Sequence, residues 1–170
     1  CETGRPALCE PGAAANTAGT LISGARRLHR AGADVNHHLG VSAFAEYATV
    51  SRNSVVRIDR SLDFAHAAVF GCAVITGTGA VINAADLPLH RSVAVVGLGG
   101  VGLAALLGAR VREAPTIVAV DLSPQKLALA RELGATHTFL ASEPNAVEAI
   151  REATKGGVEY AFEMAGSVKA

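Results

Sequence analysis

The sequence predicts an α/β fold in which parallel strands carry helices on their faces. Three observations predict it. Short strand-like runs recur at Ser92–Val96, Thr116–Asp121, His137–Leu140 and Val158–Met164. Stretches of helical spacing separate them. The first run ends in Gly97-Leu98-Gly99-Gly100-Val101-Gly102, and the second ends in an acid, Asp121. Strands that alternate with helices pair in parallel through crossovers.

Each glycine of the turn has a physical reason. Gly97 lets the chain leave the strand sharply. Gly99 lacks a Cβ, so backbone there can approach a pyrophosphate. Gly102 allows the following helix to lie close to the sheet. That helix then directs its free N–H groups and positive dipole end at an anion. Asp121 lies 19 residues after Gly102, where a carboxylate accepts hydrogen bonds from an adenosine ribose and repels the extra phosphate of NADP. The pattern is a dinucleotide-binding unit of the Rossmann type, selective for NAD. No residue from Ser92 to Ala109 is charged, a length approaching that of a membrane span. The glycines gather where a turn belongs and the β-branched residues precede them, which favours the nucleotide unit.

The remaining elements follow in order. Cys1 to Asn16 is rich in Gly, Pro and Ala and reads as loop. Gly19 to Val35 gives mixed signals, with a basic cluster of Arg26, Arg27, His29 and Arg30 read as a solvated face. His37 and His38 are adjacent, so on a strand they point apart, and they read as structural rather than metal-binding. Ala43–Val50 and Val55–Ile58 read as strands joined by Arg52-Asn53-Ser54. Phe64 to Ala85 reads as apolar helix, closed by Pro88. Ser123 is an N-cap with Pro124 at the first helical position, and Gly134 ends that helix. A further helix follows Pro144, with Val147 and Ile150 on one face, and Gly156-Gly157 stops it. The four strands predict the 3-2-1-4 part of the Rossmann order. The last, near Glu159–Met164, would then be an exposed edge.

Bulk properties set limits. The chain has 170 residues, with 15 basic and 15 acidic side chains. That balance gives no reason to expect nucleic acid or an anionic membrane as partner. Three cysteines, an odd number, suggest thiols or metal ligands in a reducing compartment rather than a disulfide framework. The start on Cys1, with no basic and apolar leader, reads as part of something longer. Cys1 and Cys9, with seven residues between them in a turn-rich stretch, are by themselves half of a tetrahedral zinc site or two unrelated thiols.

Together these pieces resemble the zinc-dependent, medium-chain alcohol dehydrogenases. The resemblance rests on Cys1-x7-Cys9, Gly40-Val-Ser-Ala-Phe-Ala-Glu-Tyr47, Gly71-Cys72 followed by Thr76-Gly77, the Gly97–Gly102 turn, and Val120-Asp121 with Lys126. It implies a GroES-like, β-rich catalytic domain ending within residues 1–62, a helical connection over 63–90, and an incomplete NAD-binding domain over 91–170. It implies that Cys1 and Cys9 are two of four structural-zinc ligands. Cys72 corresponds to one of three catalytic-zinc ligands, and the remaining ligands of both sites belong upstream. Thr76 corresponds to a hydroxyl residue against the nicotinamide. Gly97, Gly99, Gly100, Val101 and Gly102 take the phosphates, and Asp121 and Lys126 the adenosine ribose. Pro88-Leu89-His90-Arg91 departs from the family's Pro-Gly entry turn.

The implied reaction is hydride transfer between an alcohol or aldehyde and NAD, with zinc as Lewis acid. The implied protein is cytoplasmic and homo-oligomeric when complete. The 170 residues alone are expected to be inactive, since most of the zinc ligands are missing. Two other readings have distinct signatures. A non-catalytic nucleotide-binding module needs none of the three cysteines. A zinc-free reductase of the same superfamily would prefer NADPH, which Asp121 opposes.

Overall fold

The computed structural model describes residues 9–42 and 44–167. The chain divides into two compact units, Cys1–Asp59 and Arg60–Ala170.

In the first unit, helix α1 spans Glu10–Ala18. This corrects the loop reading of the stretch up to Asn16. A proline in the first turn costs no hydrogen bond, because the first N–H groups have no intrahelical partner. The alanines that follow are the best helix formers. Gly19 closes the helix at φ +67°. Strands β1 (Leu28–Arg30) and β2 (Ala33–Val35) form an antiparallel hairpin. Its two-residue turn, Ala31-Gly32, has positive φ at both positions, 49° and 81°, the twist that suits a tight hairpin. The basic cluster lies on and beside this hairpin. Arg26 donates to Ala18 O at 2.6 Å and Asn36 Oδ1 at 3.1 Å, and His29 pairs with Asp34 at 3.0 Å. His37 Nε2 accepts from Arg27 N–H at 3.1 Å, a structural role.

The strands expected at Ala43–Val50 and Val55–Ile58 do not form among the described residues. Ala43 lies outside them. Ser51 instead caps a short 3-10 turn, Arg52–Ser54, by accepting from Asn53 N–H. Phe44, Tyr47 and Val56 are exposed. Strand propensity reflects packing against a neighbouring strand, and no described strand pairs with this stretch.

The second unit is a three-layer sandwich. Helix α2 runs Phe64–Ala84, capped by Asp63, whose carboxylate accepts from Ala65 and His66 N–H. Two wide π turns, Phe70–Val74 and Ala80–Ala84, flank an α-helical Ile75–Gly79. By length and composition α2 would suit a membrane span, but one face is engaged by the helix that follows the glycine turn. After it come β3 (Val93–Val96), α3 (Gly100–Val111), β4 (Ile117–Asp121), α4 (Pro124–Glu132), β5 (His137–Leu140), α5 (Ala146–Ala153) and β6 (Tyr160–Glu163). The four strands are parallel in the order β5-β4-β3-β6, which is the expected 3-2-1-4.

Alternation along the strands builds two cores. Val93, Val95, Ile117 and Ala119 pack on one face with Val81, Leu106, Ala109, Leu127 and Ala130. Ala94, Val118 and Val120 pack on the other with Phe139, Ile150 and Val158. Every residue of β4 is buried, as a parallel strand covered on both faces requires.

Candidate nucleotide turn and its surroundings

The sheet hands the chain to the glycine turn in one step. Gly97 N–H donates to Val120 O at 2.8 Å, adding a rung beyond the last paired residues of β3 and β4. Gly97 then turns at φ +91°, and a Cβ there would lie 2.5 Å from Ala165 N. Any side chain would be strained twice over, by backbone angle and by the wall behind it. Gly102 is equally closed, because its Cβ would collide with the Gly97 carbonyl oxygen. Gly99 differs. Its φ of −74° suits any residue, and a Cβ there would meet nothing within 4 Å. The fold itself does not require glycine at that position.

Gly99 and Gly100 form the exposed crest of the turn. Helix α3 starts here, and its first bond runs from Leu103 N–H to Gly99 O at 2.9 Å. The N–H groups of Gly100, Val101 and Gly102 therefore precede the helical ladder and point out of its start.

Asp121 closes the site from the neighbouring strand. It is 8% exposed, yet both carboxylate oxygens are occupied. Oδ2 accepts from Leu98 N–H at 2.7 Å, and Oδ1 accepts from Ser123 N–H at 2.9 Å. Lys126 Nζ approaches Oδ2 at 3.6 Å. Burial by itself raises the carboxyl's pKa. The two backbone donors and the lysine outweigh it, and the net value lies below the ordinary one.

Helix α2 bears directly on the turn. A Cβ on Gly77 would collide with Val101 O and lie 2.7 Å from Ala104 Cβ. A Cβ on Gly100 would lie 3.2 Å from Ala73 Cβ. These contacts bring the helix that carries Cys72 and Thr76 against the start of α3. Both side chains are exposed, one helical turn apart. Cys9, half-buried, lines an open hollow of the first unit with Asn16, Leu39 and Ser51. Cys1 lies outside the described residues. Among the described residues no group of three or more His, Cys, Asp or Glu side chains is arranged to hold a metal.

Two features escaped the sequence reading. Gly77 is a packing residue of the α2–α3 seam, for which the only signal was the run of small residues at Ala104, Ala105 and Gly108. The unusual entry turn is tied down from across the sheet. Glu159 accepts from Arg91 at 2.8 Å, from Ser92 N–H at 2.9 Å and from Ser92 Oγ–H at 3.2 Å. The N–H of Ser92, with its hydroxyl and Arg91, outweighs the opposing desolvation and holds the carboxyl below the usual range.

A glycine turn running into a helix, beside an acid on the next parallel strand, is the arrangement of a Rossmann-type α/β unit. Residues 100–170 match the family model described as zinc-binding dehydrogenase. Over 99% of its length the chain is 37% identical to an S-(hydroxymethyl)glutathione dehydrogenase of Synechocystis and covers 46% of that protein. It is 36% identical to the Saccharomyces cerevisiae protein of the same name and covers 45% of it. Among solved structures, an alcohol dehydrogenase zinc-binding domain protein from Burkholderia ambifaria superposes with a TM-score of 0.86 at 40% identity, over 98% of this chain and 46% of that one. A benzyl alcohol dehydrogenase from Acinetobacter calcoaceticus gives 0.83 at 38% identity, over 98% and 45%. In sequence and fold the chain is similar to zinc-dependent alcohol dehydrogenases, as its motifs indicated, and it spans about half the length of the curated relatives it matches.

Proposed function

We propose that the protein to which these residues belong transfers hydride between a small alcohol or aldehyde and NAD. One observation carries the nucleotide part. Gly99 stands where the fold leaves room for a side chain, so the need for glycine comes from what approaches the turn. A pyrophosphate lying on the crest, within reach of the free N–H groups of α3, meets that need.

NAD fits the residues present. Gly97, Gly99, Gly100, Val101 and Gly102 would take its phosphates, Asp121 and Lys126 its adenosine ribose, and Thr76 the nicotinamide end. When bound, it supplies the hydride acceptor. The chain's own residues do the positioning. Asp121, held ionised, repels a second phosphate on the ribose. The tight turn fixes the start of α3, and Gly77 brings α2, which carries Thr76, close to it.

Zinc does not fit the described residues by themselves. Cys72 offers one donor where zinc takes about four. The reading makes Cys72, and Cys1 with Cys9, ligands only in company with donors from outside this stretch. The family resemblance also implies a cytoplasmic homo-oligomer.

The test is nucleotide titration and alcohol-dependent NAD reduction with the intact protein and its Gly99→Ala variant. Expected results are at least tenfold preference for NAD over NADP, about 1.4 kcal/mol, turnover of a primary alcohol, and loss of NAD affinity in the variant with unchanged thermal stability. Preference for NADPH would favour the zinc-free reductase, and NAD binding without turnover the non-catalytic module.

A further inference from the structure

We propose that Asp121 is first a positioning residue for the phosphate turn, and only second a ribose contact. The inference rests on the nucleotide reading above and deepens it.

The geometry is specific. The β3–β4 ladder continues to Gly97 N–H, which donates to Val120 O. The next amide, Leu98 N–H, has no strand carbonyl to take. Asp121 Oδ2 accepts it at 2.7 Å in a buried bond. The side chain thus adds the rung that the backbone cannot. Oδ1 meanwhile accepts from Ser123 N–H at 2.9 Å, which fixes the carboxylate plane. Leu98 itself is anchored, its side chain 1% exposed in the core. Gly99 follows immediately. The amide plane entering the crest is therefore set by Asp121 with no nucleotide present.

Two N–H donors facing one side chain demand two acceptor oxygens. A carboxylate has them. An asparagine of the same shape has one oxygen and one NH2, so it leaves an N–H facing an N–H. Serine is too short to reach both. Replacing Asp121 to admit the extra phosphate of NADP would consequently loosen the grip on the phosphates that NAD and NADP share. Sugar selectivity and phosphate affinity are linked through one carboxylate.

The experiment is a double cycle on the intact protein. Wild type and Asp121→Asn are each titrated with ADP and with the ADP analogue that lacks both ribose hydroxyls. The variant is expected to bind ADP roughly tenfold more weakly, within the range for losing a charge-assisted hydrogen bond. A deficit of about threefold or more should persist with the analogue. Equal binding of the analogue by both proteins would overturn the proposal and leave Asp121 as a ribose contact alone. Failure of wild type to bind ADP would instead remove the nucleotide reading. Amide hydrogen exchange in the nucleotide-free wild type decides the turn independently and needs no variant. Leu98 is expected to be protected relative to Gly99 and Gly100, and an unprotected Leu98 overturns the proposal.

Discussion

At the scale of the residue, Asp121 shows how burial and hydrogen bonding oppose each other. Burial disfavours the charged form, and two backbone N–H groups with Lys126 favour it more. The sign of the consequence is fixed. A carboxyl whose folded pKa is depressed contributes stability that is complete above its unfolded value near 3.8. That contribution is lost as pH falls through the lower folded value. Wild type should therefore exceed Asp121→Asn in urea stability at neutral pH. The gap should narrow below about pH 4, where the acid becomes the neutral near-isostere of asparagine. A gap of constant size down to about pH 2 would refute this assignment.

At the scale of the element, the seam between α2 and α3 is built by absence of side chains. Gly77 faces the backbone of α3, whereas Gly79, two residues on, has only Asn83 Nδ2 at 3.8 Å. The same substitution should act in opposite directions. Gly77→Ala forces a methyl group into Val101 O and should cost roughly 1–3 kcal/mol. Gly79→Ala removes backbone entropy from the unfolded chain and should stabilise by about 0.5–1 kcal/mol. Chemical denaturation of the two variants decides it, and equal effects would mean that the seam is not tight.

This difference also marks what could be read beforehand. The four strands, their order and the helix ending at Gly134 were legible because apolar periodicity, N-caps and glycine stops are local signals. Helix α1 was missed because proline and glycine at its start outweighed the alanines. Phe44–Val50 carried strand residues without a strand to pair with, and propensity cannot report a missing neighbour. Within the site, the glycine turn and Asp121 were visible as a motif. That Asp121 bonds the turn itself, and that Gly77 abuts Val101, depends on contacts between elements distant in sequence.

At the scale of the molecule, residues 1–170 hold the glycine turn but, among the described residues, no cluster of metal donors. Phe64, Val69, Phe70 and Ile75 present an exposed apolar surface along α2. From the proposed function it follows that these residues alone should bind ADP weakly and give no zinc-dependent turnover. Alcohol-dependent reduction of NAD by this stretch, measured with added zinc, would refute that expectation.

The clasp of Glu159 on Arg91 and Ser92 has a consequence in time. It joins groups 67 and 68 residues apart in the chain, and β6 reaches its place beside β3 only after β4 and β5 have been made. Sequence-local pairs close quickly, and closures of this span come late. During synthesis the glycine turn thus exists for a while as a one-sided ledge. Its second wall, Ala165 behind Gly97, arrives only with the residues that follow β6. A ligand that favours the turn with both walls in place would therefore act as a late check on this part of the assembly rather than as a seed for it.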